Sequence, residues 1–76
     1  MTRLPRVTGR ECERALLRLG FQSRRTKGSH RIYVHPDGRR VVLPSHAGRI
    51  IKPRTLRGIL DDLEVSAEGF VALLRR

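Results

Sequence analysis

Cysteine occurs once, as Cys12, and acids are scarce, with 7 Asp and Glu against 17 Lys and Arg. A single thiol excludes an internal disulfide framework and any zinc site built from several thiolates, and it fits a reducing compartment. No apolar run approaches the length of a membrane span, and the opening segment MTRLPRVTGR lacks the apolar stretch of a signal peptide, so a cytoplasmic protein is expected. Aromatic residues make up only 4% of the chain. No predicted helix joins a basic stripe to an apolar face holding aromatics, which argues against docking on an acidic membrane. Metal-dependent hydrolysis needs clustered carboxylates, and the basic half of the chain offers only Asp37, so neither a metal nor a cofactor is expected. Internal repeats, linkers and low-complexity tracts are lacking.

What remains is a chain of 76 residues with a net charge of +10, long enough for a single domain, taken as 1–76 with a core over about 8–63 and a terminal segment 64–76. A domain of this size buries only about 60% of its unfolded surface, so chemistry is expected on an open face. The charge is regional: residues 18–57 hold eleven Lys and Arg and one acid, while six bases balance six acids elsewhere. A stripe of one sign points to a polyanionic partner, nucleic acid first, against the simpler reading of a solvated basic surface.

Thr8-Gly9-Arg10-Glu11 has capping-box spacing, with Val7 and Cys12 as a hydrophobic staple. Cys12, Ala15, Leu16 and Leu19 then follow helical spacing and Gly20 supplies a left-handed stop, which predicts a helix over 9–19. Arg10, Arg14 and Arg18 stack along its outer face. Strands are predicted at 21–25, 30–35 and 39–43, with turns at Lys27-Gly28-Ser29 and Pro36-Asp37-Gly38. A three-residue second turn ending in left-handed Gly38 pairs Tyr33 with Val41 and Arg31 with Leu43. Tyr33, Val41 and Leu43 then lie under the helices, while His30, Ile32, Val34 and Arg40 face outward. A two-residue Asp-Gly turn would slip the register by one and turn His30 inward. After a loop at 45–52, Pro53 opens a helix to 63 that buries Leu56, Ile59, Leu60 and Leu63. Ser66 caps a short terminal helix, 67–74, with Phe70, Val71, Leu73 and Leu74 on its apolar face. The expected fold is α+β: an α-β-β-β-α order plus the extra helix, with a three-stranded antiparallel sheet covered by helices on one face, the layout of a double-stranded-RNA-binding domain.

The run TKGSHRIYVHPDGRRVVLP joins a histidine to a Gly-Ser turn, flanking cations and an exposed strand. Gly28 admits a phosphate to backbone amides, Ser29 can donate to its oxygens, and Lys27 and Arg31 can stabilise charge developing on it. His30 could act as acid or base at neutral pH, as cleavage of RNA through its own 2′-hydroxyl requires. Arg40, Arg24 and Arg25 complete the expected RNA-binding set. His35 is read as a turn residue. His46, across the sheet end from His30 in that register, is a possible second proton carrier and otherwise structural. Zinc held by His30, His35 and Cys12 is disfavoured, because the two histidines point to opposite faces of a strand.

The pattern GF…R…KGSHRIYVHPDGRRVVLPSH…IKPRTLRGIL resembles the HicA toxin family of small toxin–antitoxin ribonucleases, over about Thr8 to Leu63. The resemblance implies a double-stranded-RNA-binding-like fold, cleavage of messenger RNA, a catalytic role for His30 within Gly28-Ser29-His30, and a HicB-type antitoxin as partner. Many members carry a second histidine directly after the first, where this chain has Arg31. The expected function is thus a metal-independent endoribonuclease. A non-catalytic RNA-binding module is the alternative, and a ribosome-associated structural protein, a third, leaves the Gly-Ser-His turn unexplained.

Overall fold

In the computed structural model, which describes residues 3–44, 46 and 48–75, the capping box at Thr8 is formed. The Thr8 hydroxyl accepts from the Glu11 N–H at 3.2 Å while the Glu11 carboxylate accepts from the Thr8 N–H at 2.9 Å. Helix α1 (Gly9–Leu19) follows and buries Cys12, Ala15 and Leu16, with Leu19 partly buried against the same core. Gly20 closes it at φ 101°, where a side chain would be strained and its Cβ would also lie 3.1 Å from the His35 ring.

Three antiparallel strands, β1 (Gln22–Lys27), β2 (His30–Val34) and β3 (Arg40–Pro44), form a sheet in the order β1-β2-β3. Tyr33 pairs with Val41 and Arg31 with Leu43, the register expected from a three-residue turn. Gly38 takes φ 99°, and its N–H donates to the His35 carbonyl at 2.9 Å. Each strand end differs by a residue or two from the sequence reading. β1 begins after Phe21, whose N–H is held by the Leu16 carbonyl, and it runs on to Lys27, which pairs with His30. β2 stops at Val34, because His35 leaves the ladder to make the turn. β3 continues through Pro44, which pairs with His30, and an edge strand tolerates a proline there.

Segment 49–51 runs back along the entry to α1, with Ile51 N–H donating to the Val7 carbonyl at 2.8 Å and Gly9 N–H to that of Arg49 at 3.2 Å. Ser45, where the expected loop begins, and Arg76 lie outside the described residues. Helix α2 (Pro53–Leu63) starts on its proline and buries Leu56, Ile59, Leu60 and Leu63, as its spacing predicts. Glu64 ends it in the left-handed region at φ 58°. Ser66 caps α3 (Ala67–Leu74), accepting from the Gly69 N–H at 3.0 Å. Phe70 and Leu73 of α3 join a core that gathers Leu16, Phe21, Tyr33, Val41 and Leu43 on the covered side of the sheet. The α+β architecture with one open sheet face is therefore the one expected, and α3 packs against α1. Among the described residues no helix is long and apolar enough to cross a membrane.

Candidate functional site

Residues directly opposite one another in an antiparallel sheet point to the same face. Tyr33 with Ser23 and Val41, and Arg31 with Thr26 and Leu43, therefore turn to the helices. The open face carries three rows. Lys27, His30 and Pro44 lie at the turn end, Arg25, Ile32 and Val42 in the middle, and Gln22, Val34 and Arg40 at the far end. Arg24 is the unpaired residue of a bulge between Ser23 and Arg25. The face is thus a shallow apolar strip of Ile32, Val34 and Val42, edged by Arg25, Lys27 and Arg40.

His30 stands at the corner of this face, exposed, and its imidazole makes no hydrogen bond among the described residues. Its place is set by the two-residue turn that separates it from Lys27. Gly28 takes φ 60° and Ser29 does not share the positive φ, the sign pattern of a type II′ hairpin, which puts glycine first. A Cβ at Gly28 would meet nothing within 4 Å, so backbone conformation and not crowding requires glycine there. Lys27, Gly28, Ser29 and His30 consequently share one exposed corner.

The other expected contacts are placed differently. Arg40 is on the His30 face but lies opposite Val34, about 13 Å along the strand from His30 at 3.3 Å per residue. Arg31, next to His30 in the chain, turns to the opposite face, where its guanidinium lies 3.3 Å from the Glu13 carboxylate of α1. The Tyr33 hydroxyl donates to the same carboxylate. Burial, reinforced by that carboxylate, pushes the Tyr33 phenol up to about 12, so it remains a donor. Glu13 stands in the sequence only as one acid among several. Its pairing across 18 residues with Arg31 has no local signal beyond a cation and a tyrosine sharing the covered face of β2.

Of the eleven cations in 18–57, Arg18, Arg31 and Arg39 have internal partners. Arg18 donates to the Leu73 carbonyl at the end of α3, and Arg39 donates to Asp37 and to the Leu63 carbonyl while lying 5.2 Å over the Phe21 ring. The remaining eight, Arg24, Arg25, Lys27, Arg40, Arg49, Lys52, Arg54 and Arg57, are exposed, and their side chains make no internal hydrogen bond among the described residues. His35 serves the turn. Its Nε2 lies 3.0 Å from the Leu19 carbonyl oxygen, and its Nδ1 lies 3.1 Å from the Asp37 backbone nitrogen and 3.0 Å from the Asp37 carboxylate. His46 is exposed two residues past Pro44, the partner of His30. It opens a groove of about 290 Å³ that also takes in Arg49, Ile50, Lys52 and Thr55. Burial pushes the Cys12 thiol up to about 12, which removes it as a nucleophile. No three of His, Cys, Asp and Glu among the described residues gather closely enough to hold a metal ion.

No curated protein matches the chain. A family model described as "HicA toxin of bacterial toxin-antitoxin" matches residues 9–65, a span that holds α1, the sheet with its His30 corner, and α2. With well over half of its length matched, the chain belongs to the HicA toxin family of toxin–antitoxin modules.

Proposed function

We propose that this toxin is a metal-independent endoribonuclease that cuts messenger RNA in the cytoplasm, with His30 as its catalytic histidine and a HicB-type antitoxin as its inhibitor. The observation that carries the reading is the exposed corner where His30 stands beside Lys27 and the Gly28-Ser29 turn, on a sheet face edged by exposed cations. A phosphate bridging this corner meets backbone amides at the turn, the Ser29 hydroxyl and the Lys27 ammonium. Neutral His30 takes the proton from the 2′-hydroxyl as the 2′-oxygen attacks phosphorus. The bond from phosphorus to the 5′-oxygen breaks, leaving a 2′,3′-cyclic phosphate on one product and a 5′-hydroxyl on the other. Water, or His46 beyond the partner strand, protonates the departing oxygen. Arg24, Arg25 and Arg40 hold the flanking RNA backbone, and Arg31 acts from the covered side by holding β2 to α1. An antitoxin that offers acidic residues to the cationic face and covers His30 would compete with RNA, since the open sheet has no lid.

Purified wild-type protein is expected to cut RNA but not DNA, to do so in EDTA, and to leave a cyclic phosphate. His30→Ala should lower cleavage by about 10²- to 10⁴-fold while RNA affinity and thermal stability stay near wild type. Cleavage that stops on chelation and returns with magnesium, or a His30→Ala variant that still cuts, would overturn the proposal. RNA binding without any cleavage by the wild type would favour the non-catalytic module.

A further inference from the structure

The groove beside β3 begins at Pro44, the residue paired with His30, and of its lining the proposed chemistry draws on His46 alone. We propose that it is a nucleotide subsite, seating a base next to the cut and so setting which sequences this toxin cleaves; the inference rests on the ribonuclease reading.

Position is the first argument. Paired residues in an antiparallel sheet have their Cα atoms only about 4.5 to 5.5 Å apart, so an RNA strand whose phosphate sits at His30 reaches the groove with the adjoining nucleotide. Size is the second. A volume of about 290 Å³ lies at the lower end of ligand pockets, about 300 Å³ and above, which suits one base and is too small for a secondary-structure element.

The lining supplies the third argument. Pro44 and Ile50 present apolar walls, and Ile50, 54% exposed, leaves its side chain open to a bound base. The His46 ring offers a stacking surface and Thr55 a hydroxyl for a base edge, the two means by which single-stranded RNA is read. Arg49 and Lys52 supply positive charge, and no acid lines the groove among the described residues. Lys52 also leaves the first turn of α2 without a side-chain cap, so N–H donors add to the positive potential there. Backbone bonds from 49 and 51 to residues 7 and 9 hold the outer wall to the entry of α1, which gives the groove a built shape.

Ile50→Ser and Thr55→Ala test the assignment, because both side chains are exposed and neither is in the proposed catalytic corner. Sequencing of the ends produced from a mixed-sequence RNA should show a wild-type preference at one position beside the cut. Each variant should weaken it by about fivefold or more, the lower range of base discrimination by good contacts, while cleavage persists. Unchanged preference in both variants would overturn the subsite. A second measurement is independent of catalysis: short single-stranded RNA carrying thiouridine, bound to His30→Ala and irradiated, should crosslink within 46–55. Crosslinks confined to 22–34, or a groove protected only by the protein inhibitor and not by RNA, would overturn it. Should the wild type cut no RNA, the ribonuclease proposal fails on that result while the crosslink still decides whether the groove holds a base.

Discussion

Arg31 and Glu13 meet at 3.3 Å across the boundary between sheet and helix, on the face of β2 opposite to the neighbouring His30. The cation nearest to the histidine in the chain is therefore engaged with α1, and Lys27, one strand away, is the one that shares its corner. Lys27→Ala should reduce the slope of log affinity for RNA against log salt by about 0.7 to 1, the loss of one phosphate contact. Arg31→Ala should leave that slope within error and lower the melting temperature instead. Binding isotherms across a salt series, with thermal melts of both variants, distinguish the two; a slope change at Arg31 equal to that at Lys27 would show that Arg31 reaches the phosphate after all.

Gly28 is required by its backbone, since φ is 60° and the space around a Cβ is open. L-alanine at this position should destabilise the chain by about 1 to 2 kcal/mol, the cost of holding an L-residue in the left-handed region. D-alanine, introduced by chemical synthesis, should recover the loss. Equal destabilisation by both enantiomers would mean that the side chain and not the dihedral angle is at fault.

Two carboxylates tie the acid stability of the fold to local structure. Glu11 lies below its usual 4.5 because it accepts from the Thr8 N–H, and Asp37 below its usual 3.8 because it accepts from the Arg39 N–H. A group whose folded pKa is depressed adds stability above its unfolded value and loses it as pH falls through the folded one. Melting temperature should therefore decline as pH drops below about 4.5. Combining Glu11→Gln with Asp37→Asn should flatten that decline, and an unaltered acid limb would refute the linkage.

At the alkaline end the sign reverses. Tyr33 rises from 10.0 to about 12 and Cys12 from 9.0 to about 12, both chiefly through burial. Their neutral forms are favoured in the fold, so the stability they contribute is intact below the unfolded values and is lost as pH climbs from 9 through about 12. Tyr33→Phe should remove part of this alkaline loss and, by breaking the bond to Glu13, cost about 1.5 to 3 kcal/mol near neutral pH. A thiol reagent at pH 8 should label Cys12 only as fast as the chain opens. Rapid labelling of the folded protein would contradict its burial.

Most of the architecture was legible in local sequence because its determinants are local. The Thr8 and Glu11 box, the left-handed Gly20 and Gly38, Pro53 at the head of α2, and the spacing of Leu56, Ile59, Leu60 and Leu63 each act within a few residues. The three-residue turn at Pro36-Asp37-Gly38 fixed the β2–β3 register, and with it the outward placement of His30. Strand ends were less legible, since Lys27 and Pro44 are in strands only because each pairs with His30. Fates of individual cations were not legible at all. A guanidinium carries the same charge whether it faces a phosphate, as proposed for Arg40, or donates to a carbonyl of a distant helix, as Arg18 and Arg39 do. Only packing brought Glu13 to Arg31 and Tyr33, and only the return of segment 49–51 to the start of α1 shaped the groove beside β3. Such contacts join residues far apart in the chain, and their partners are chosen by the geometry of the assembled layers, which short-range patterns do not encode.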